Sequence, residues 1–155
     1  GLVQRNAQTR RMNRTPAMPA NTTPAFSSVL ETPAAAPEAA ARHFADRLAF
    51  ETDPSDVHAD LQKGARGFVV VDCRSAESYA KSHVAGAISL PYRTITAETT
   101  RHLPKDATLI TYCTSVSCNS STKGALRLAR LGFRVKEMVG GIRAWEGEGY
   151  PVESP

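Results

Sequence analysis

The stretch from Thr108 to Phe133, TLITYCTSVSCNSSTKGALRLARLGF, decides how the chain is read. Its first six residues form a compact apolar run that ends in Cys113. Such a run, without polar alternation, suits a strand buried on both faces. Small and polar residues follow from Thr114 to Ser121, and a helix then reaches about Leu131. Strand, loop and helix in this order make one step of an α/β fold, whose ligand crevice lies at the carboxyl ends of its strands. At that junction the backbone N–H groups of the loop and of the first helical turn point toward the thiol. They favour negative charge there and lower a thiol pKa from its free value of about 8.5. On spacing alone two readings stand: Cys113 is an activated nucleophile, or a small hydrophobe closing a core strand.

The flanking sequence supplies the remaining layers. "GFVVVDCR" (Gly67 to Arg74) is a second β-branched run, "AISLP" (Ala87 to Pro91) a third strand closed by proline, and "FRVKEMVGG" holds another. "AFET" forms a short strand near residue 50. Helices are expected from Pro37 with Ala40, Phe44 and Leu48 at spacings of four and lying on the domain, from a Ser55 cap through Gln62, and from a Ser75 cap over Ala76 to Lys81. A helical turn is expected at Thr96 to His102 and a terminal helix around Trp145. The fold class is therefore α/β: one domain over 34–155 with a central parallel five-stranded sheet and helices on both faces.

Charge narrows the partners. The chain of 155 residues has 19 Lys and Arg against 15 Asp and Glu, but Arg5, Arg10, Arg11 and Arg14 stand among the first 30 residues, where no acid occurs. The 15 basic residues that remain balance the 15 acids. The body thus has no excess that would draw it to a phosphate backbone, and no nucleic-acid partner is expected. Residues 1–33 lack apolar periodicity and are expected to be a disordered basic leader, with Met12 and Met18 as possible natural starts. No apolar run approaches the roughly 18–20 residues that span a bilayer. Three cysteines, an odd number, argue for a reducing compartment, so a cytoplasmic, membrane-free monomer is expected.

Several collinear segments resemble the rhodanese (thiosulfate sulfurtransferase) family. "VVVDCRSAESYAKSHVAGAISLP" carries the pattern at Asp72, Arg74, Glu77, Tyr79, His83, Gly86 and Ala87. Tyr112-Cys113 matches the family's active cysteine, and "LGF…VGGIRAWEGEGYPV" matches its ending. The resemblance implies a sulfurtransferase in which Cys113 takes the outer sulfur of a small anionic donor such as thiosulfate. The resulting persulfide passes that sulfur to cyanide, a thiol or a protein acceptor. The loop of Thr114, Ser115, Val116, Ser117, Cys118 and Asn119 would hold the persulfide's charge through its amides. No metal, nucleotide or flavin is implied. Many single-domain relatives have arginine where Cys118 stands, so the Cys-x4-Cys-Asn loop lacks the usual cation.

Cys118 is either a resolving thiol or a loop residue filling another side chain's place, and Cys73 is expected to be inert within its strand. Asp72 and Arg74 should hold loops in place, with an Arg74–Glu77 ion pair as one possible device. His83 anchors the turn before the third strand. Lys123 opens a basic stripe with Arg127, Arg130 and Arg134, which is either a solvated helix face or, through Lys123 as its member nearest the loop, a lure for anionic donors. The opposite helix face, Ala125, Leu128 and Ala129, belongs to the core. Gly140-Gly141 supplies a tight bend beside the loop. One Cys-x4-Cys pair falls short of a closed zinc site, and the absence of an arginine at the loop's end counts against a cysteine phosphatase. The alternative from another class is a non-catalytic redox-sensing or protein-binding module that uses Cys113 and Cys118.

Overall fold

The computed structural model describes residues 15–16 and 23–155. Arg5, Arg10, Arg11, Arg14, Met12 and Met18 of the expected leader lie outside the described residues. Residues 23–35 form no helix or strand, and residues 36–155 cluster as one compact unit.

That unit runs α1 (Pro37–Phe50), β1 (Glu51–Thr52), α2 (Pro54–Gln62), β2 (Phe68–Asp72), α3 (Ala76–Lys81), β3 (His83–Val84) and β4 (Ile88–Ser89). A 3-10 turn at Tyr92–Thr94 precedes β5 (Thr108–Tyr112), α4 (Ser120–Arg130), β6 (Arg134–Met138), α5 (Gly141–Gly147) and β7 (Val152–Glu153). The five strands expected from sequence form one sheet in the order β1-β6-β5-β2-β4, every neighbouring pair parallel. The central strand, β5, ends at the residue before Cys113.

Successive residues of β2 and β5 point to opposite faces, which makes two cores. Val70, Ile110 and Tyr112 pack with Val57, Met138, Ile142 and Trp145 on one side. Val71 and Leu109 pack with Leu90, Ile95, Leu128 and Phe133 on the other. On α4 the inward positions are Ser121, Gly124 and Leu128, while Ala129 is exposed, a rotation of the expected apolar face. Gly124 is required there because a Cβ would collide with the Cys73 side chain.

Some local expectations need correction. Asp53 caps α2, not Ser55: its Oδ1 accepts from Asp56 N–H at 2.9 Å, and Pro54 takes the first helical position, where a missing donor costs nothing. Ser75 does cap α3, accepting from Ser78 N–H at 3.1 Å. The apolar residues of α1 are not covered as expected, since Phe44 and Leu48 are exposed and the helix buries no residue. Its neighbour β1 is a two-residue edge strand that offers little surface to cover. A second, antiparallel ribbon was not foreseen: β3 pairs with β7, His83 opposite Glu153 and Val84 opposite Val152.

Candidate active site

Two polar clusters occupy the carboxyl ends of adjacent strands. At the end of β2, Asp72 is fully buried. Its carboxylate accepts from Arg74 Nη2 at 2.7 Å, Arg74 Nε at 3.0 Å, Arg74 N–H at 2.9 Å and Tyr112 Oη at 2.8 Å. Arg74 also donates to Ser82 O at 2.6 Å, and Tyr112 Oη accepts from Val84 N–H at 3.0 Å. Burial works against the Arg74 charge, but the Asp72 carboxylate outweighs it and the guanidinium pKa is raised. Burial likewise pushes the Tyr112 hydroxyl up, with the Asp72 charge adding to it. The expected Arg74–Glu77 pair does not form: Arg74 is taken by Asp72, and Glu77 pairs with Lys81 at 3.4 Å. Asp72 and Arg74 fasten the α3–β3 segment to the sheet and do not touch the thiol. His83 anchors the same segment, with Nδ1 2.8 Å from Tyr79 O and its ring stacked on Tyr79 at 3.7 Å.

At the end of β5, Cys113 borders a cavity of about 580 Å³ shared with the loop, Ser121, Glu137 and the Gly140–Gly141 bend. The bend is fixed by backbone: Ile142 N–H donates to Cys113 O at 2.9 Å and Arg143 N–H to Thr114 O at 3.0 Å. Gly140 and Gly141 have φ of 82° and 61°, and a Cβ on Gly141 would run into Cys113 O and the Thr114 backbone. The loop itself closes through Cys118 N–H to Ser115 O at 3.1 Å, and Ser117 N–H donates to Ser115 Oγ at 3.3 Å. Val116 projects at the tip, 89% exposed. Asn119 precedes α4 without a side-chain cap, its carbonyl accepting from Lys123 N–H at 3.0 Å.

The surroundings of the two sulfurs differ from the expected ring of amides around Cys113. Cys113 Sγ is nearly buried and lies 3.2 Å from Cys118 O, 3.7 Å from Ser115 O and 3.3 Å from Ser121 Oγ. Carbonyl oxygens favour the S–H form. The loop turns these carbonyls inward, leaving the Ser121 amide as the backbone donor that favours a Cys113 thiolate. Amides of Thr114 and Ser120 instead serve Cys118, whose Sγ is 3.3 Å from Ser120 Oγ. Burial accordingly pushes the Cys113 thiol above its ordinary 9.0, against the pull of Ser121 and with Cys118 adding to the rise. Burial also opposes ionisation of Cys118, but hydrogen bonds from Ser120, Cys113 and Thr114 prevail and hold it down to about 7. The resting Cys113 thiol therefore donates to the Cys118 and Ser115 carbonyls, and the Cys118 thiol ionises first. Cys73 is buried and its thiol is pushed up by desolvation, as befits inert packing.

Lys123 does not reach this cavity. Its Nζ lies 5.3 Å from the centre of the Tyr92 ring, in a separate hollow of about 390 Å³ with Arg93, Leu126, Arg127 and Arg130. The residues missed from sequence are Ser121, taken as the end of the loop, and Glu137, a strand residue. Glu137 Oε2 accepts from Ser121 Oγ at 2.7 Å and Thr122 Oγ1 at 2.9 Å. An acid at the carboxyl end of a core strand, just before a double glycine, was the signal available.

A cysteine at the tip of the central strand of a parallel sheet, beside a loop-walled cavity, defines a thiol-bearing α/β domain. The chain belongs to the rhodanese-like domain family, whose sequence model matches residues 53–148. It is 33% identical over 106 residues to the thiosulfate sulfurtransferase GlpE of Pseudomonas putida (strain GB-1), covering 68% of this chain and 92% of that protein. It is also 33% identical over 85 residues to the HTH-type transcriptional regulator Rv0324 of Mycobacterium tuberculosis, of whose length the match spans 37% and of this chain 54%. Among solved structures, the BH2092 protein of Bacillus halodurans superposes with a TM-score of 0.75 at 45% identity, over 77% of this chain and 87% of that one. Among the described residues, no helix is long and apolar enough to cross a membrane.

Proposed function

We propose that this protein is a sulfurtransferase that carries sulfane sulfur as a persulfide on Cys113, within a domain spanning residues 34–155 and working in the cytoplasm. The observation that carries the reading is the placement of Cys113 at the end of the central strand, lining the cavity together with Cys118, whose thiol is held down to about 7. Cys113 attacks the outer sulfur of the donor while its proton passes to the Cys118 thiolate, which acts as the general base. The donor's S–S bond breaks and its remainder leaves with the bonding pair, as sulfite when the donor is thiosulfate. The Ser121 amide stabilises the persulfide. An acceptor thiolate or cyanide then takes the outer sulfur, and Cys113 leaves as the thiolate that recovers its proton. The loop from Thr114 to Asn119 shapes the cavity, and the donor and the thiol or protein acceptor are the partners required.

After incubation with thiosulfate, intact mass should rise by one sulfur atom in the wild type and not in Cys113→Ala. Cys118→Ala should still gain the sulfur, but more slowly at pH 7. A gain retained by Cys113→Ala removes the proposal.

The placement of both cysteines on one cavity wall favours a second reading, a redox-sensing module in which an oxidant takes two electrons and both protons leave as a Cys113–Cys118 disulfide forms. A mass two hydrogens lower after mild peroxide, with no sulfur gain from any donor, selects that reading.

A further inference from the structure

Among the described residues, the cavity beside Cys113 is lined by no lysine or arginine, and its carboxylate side chain is Glu137. That carboxylate is not free to swing away, because the Ser121 and Thr122 hydroxyls at 2.7 and 2.9 Å hold it against the first turn of α4. Ser121 connects it to the sulfur, its Oγ also lying 3.3 Å from Cys113 Sγ. A serine hydroxyl has one proton to give. Here it is shared between Cys113 Sγ and the carboxylate, and the shorter, charge-assisted bond is the one to the carboxylate. Cys113 is left with the longer of the two bonds and only a share of that proton. Glu137 thus competes with the reacting sulfur for one hydrogen-bond donor and adds a negative charge two hydrogen bonds away.

Its charged neighbours on β1 and β6, and Lys123 on α4, are engaged elsewhere. Glu51, its register partner on β1, is itself acidic and is paired with Arg47. Lys136 Nζ bonds to Leu48 O, and Lys123 faces Tyr92. A dianion entering here meets a carboxylate where an anion site would carry a cation.

We propose that Glu137, acting through Ser121, sets the donor class: the site takes sulfur from an organic persulfide or polysulfide of low charge and disfavours thiosulfate. The proposal rests on the sulfurtransferase reading above. Cys113 attacks the outer sulfur of R–S–SH, the S–S bond breaks, and the thiol R–SH departs with the proton held by Cys118, leaving the Cys113 persulfide without any external oxidant.

The test compares alkylation of Cys113 by neutral iodoacetamide and anionic iodoacetate, with the site located by fragment mass. Relative to a free thiol, wild-type Cys113 should discriminate against iodoacetate by about tenfold, and Glu137→Gln should remove most of that difference. Raising the salt concentration on the wild type should narrow it as well, a measurement that needs no variant. On Glu137→Gln, loading by thiosulfate should rise about tenfold or more relative to loading by 2-hydroxyethyl persulfide, an uncharged R–S–SH donor that releases its thiol as the Cys113 persulfide forms. A wild-type ratio equal to that of a free thiol, or one that neither salt nor Glu137→Gln moves, overturns the role of Glu137 alone. Failure of both sulfur donors to load Cys113, with the alkylation ratio still shifted, overturns the transfer reading and the donor assignment with it.

Discussion

Asp72 and Cys113 sit at the ends of neighbouring strands, yet the clusters around them are built on opposite principles. Around Asp72 every donor meets an acceptor: two guanidinium nitrogens, a backbone amide and a phenol converge on one carboxylate. Around Cys113 the acceptors outnumber the protons. Two carbonyls, the Cys113 sulfur itself and, one step out, Glu137 compete for a thiol and a hydroxyl hydrogen. A saturated network has one arrangement and holds the fold. A network short of protons has several arrangements close in energy, and moving between them is what proton transfer requires.

The strongest way to break this contrast is to open the saturated side. Asp72→Ala leaves a buried guanidinium and a buried phenol without their acceptor and should cost about 3–5 kcal/mol in denaturant unfolding. A loss below about 1 kcal/mol would mean that the two clusters do not differ as described. Gly141→Ala attacks the backbone floor of the reactive side; a left-handed alanine pressed against Cys113 O should cost about 1–3 kcal/mol. It should also slow persulfide formation by about a hundredfold through misplacement of the sulfur, as single-turnover mass kinetics would show.

Titration sharpens the contrast within the reactive side. Cys118 is held down from 9.0 to about 7, so the fold favours its thiolate. Its contribution to stability is complete above pH 9 and is lost as pH falls through 7. Cys113 is shifted the other way: its contribution belongs to the thiol, is present below 9.0 and is lost as pH rises past the raised value. Iodoacetamide labelling should therefore reach half its maximal rate near pH 7 at Cys118 and only above pH 9 at Cys113. Equal midpoints would remove the asymmetry. The smallest effect is expected at Thr111, whose buried Oγ1 has no partner. Thr111→Val discards that hydroxyl and should stabilise the domain by up to about 1 kcal/mol in thermal unfolding.

The sheet was legible because its core strands announce themselves. FVVVD and TLITY are unbroken β-branched and apolar runs, and Ser75 stands one residue before a helical segment. The β3–β7 ribbon was not legible, since two residues against two leave no periodicity to read. Asp53 and Ser55 are both competent caps, and only the position of Pro54 between them, taking the first helical turn, decides for Asp53. In the site, the cysteine, its loop and the double glycine could be found locally. The inward carbonyls of Ser115 and Cys118 could not, because they depend on how the loop closes on itself. Nor could the Ser121–Glu137 contact, which joins a helix start to a strand 16 residues later. The two readings of Lys123 could not be separated for a related reason: nearness in sequence to the loop says nothing of which flank of α4 the side chain takes, and it lies beside Tyr92, away from the cavity.

The bonds from Ile142 and Arg143 to the carbonyls of Cys113 and Thr114 also set a timetable. As the chain leaves the ribosome, the thiol emerges before the segment that fastens its backbone, and β1 must wait for β6, its sole neighbour in the sheet. The nucleophile is thus the early part of a late assembly. A nascent chain stalled before Gly140 would display both cysteines without their finished setting.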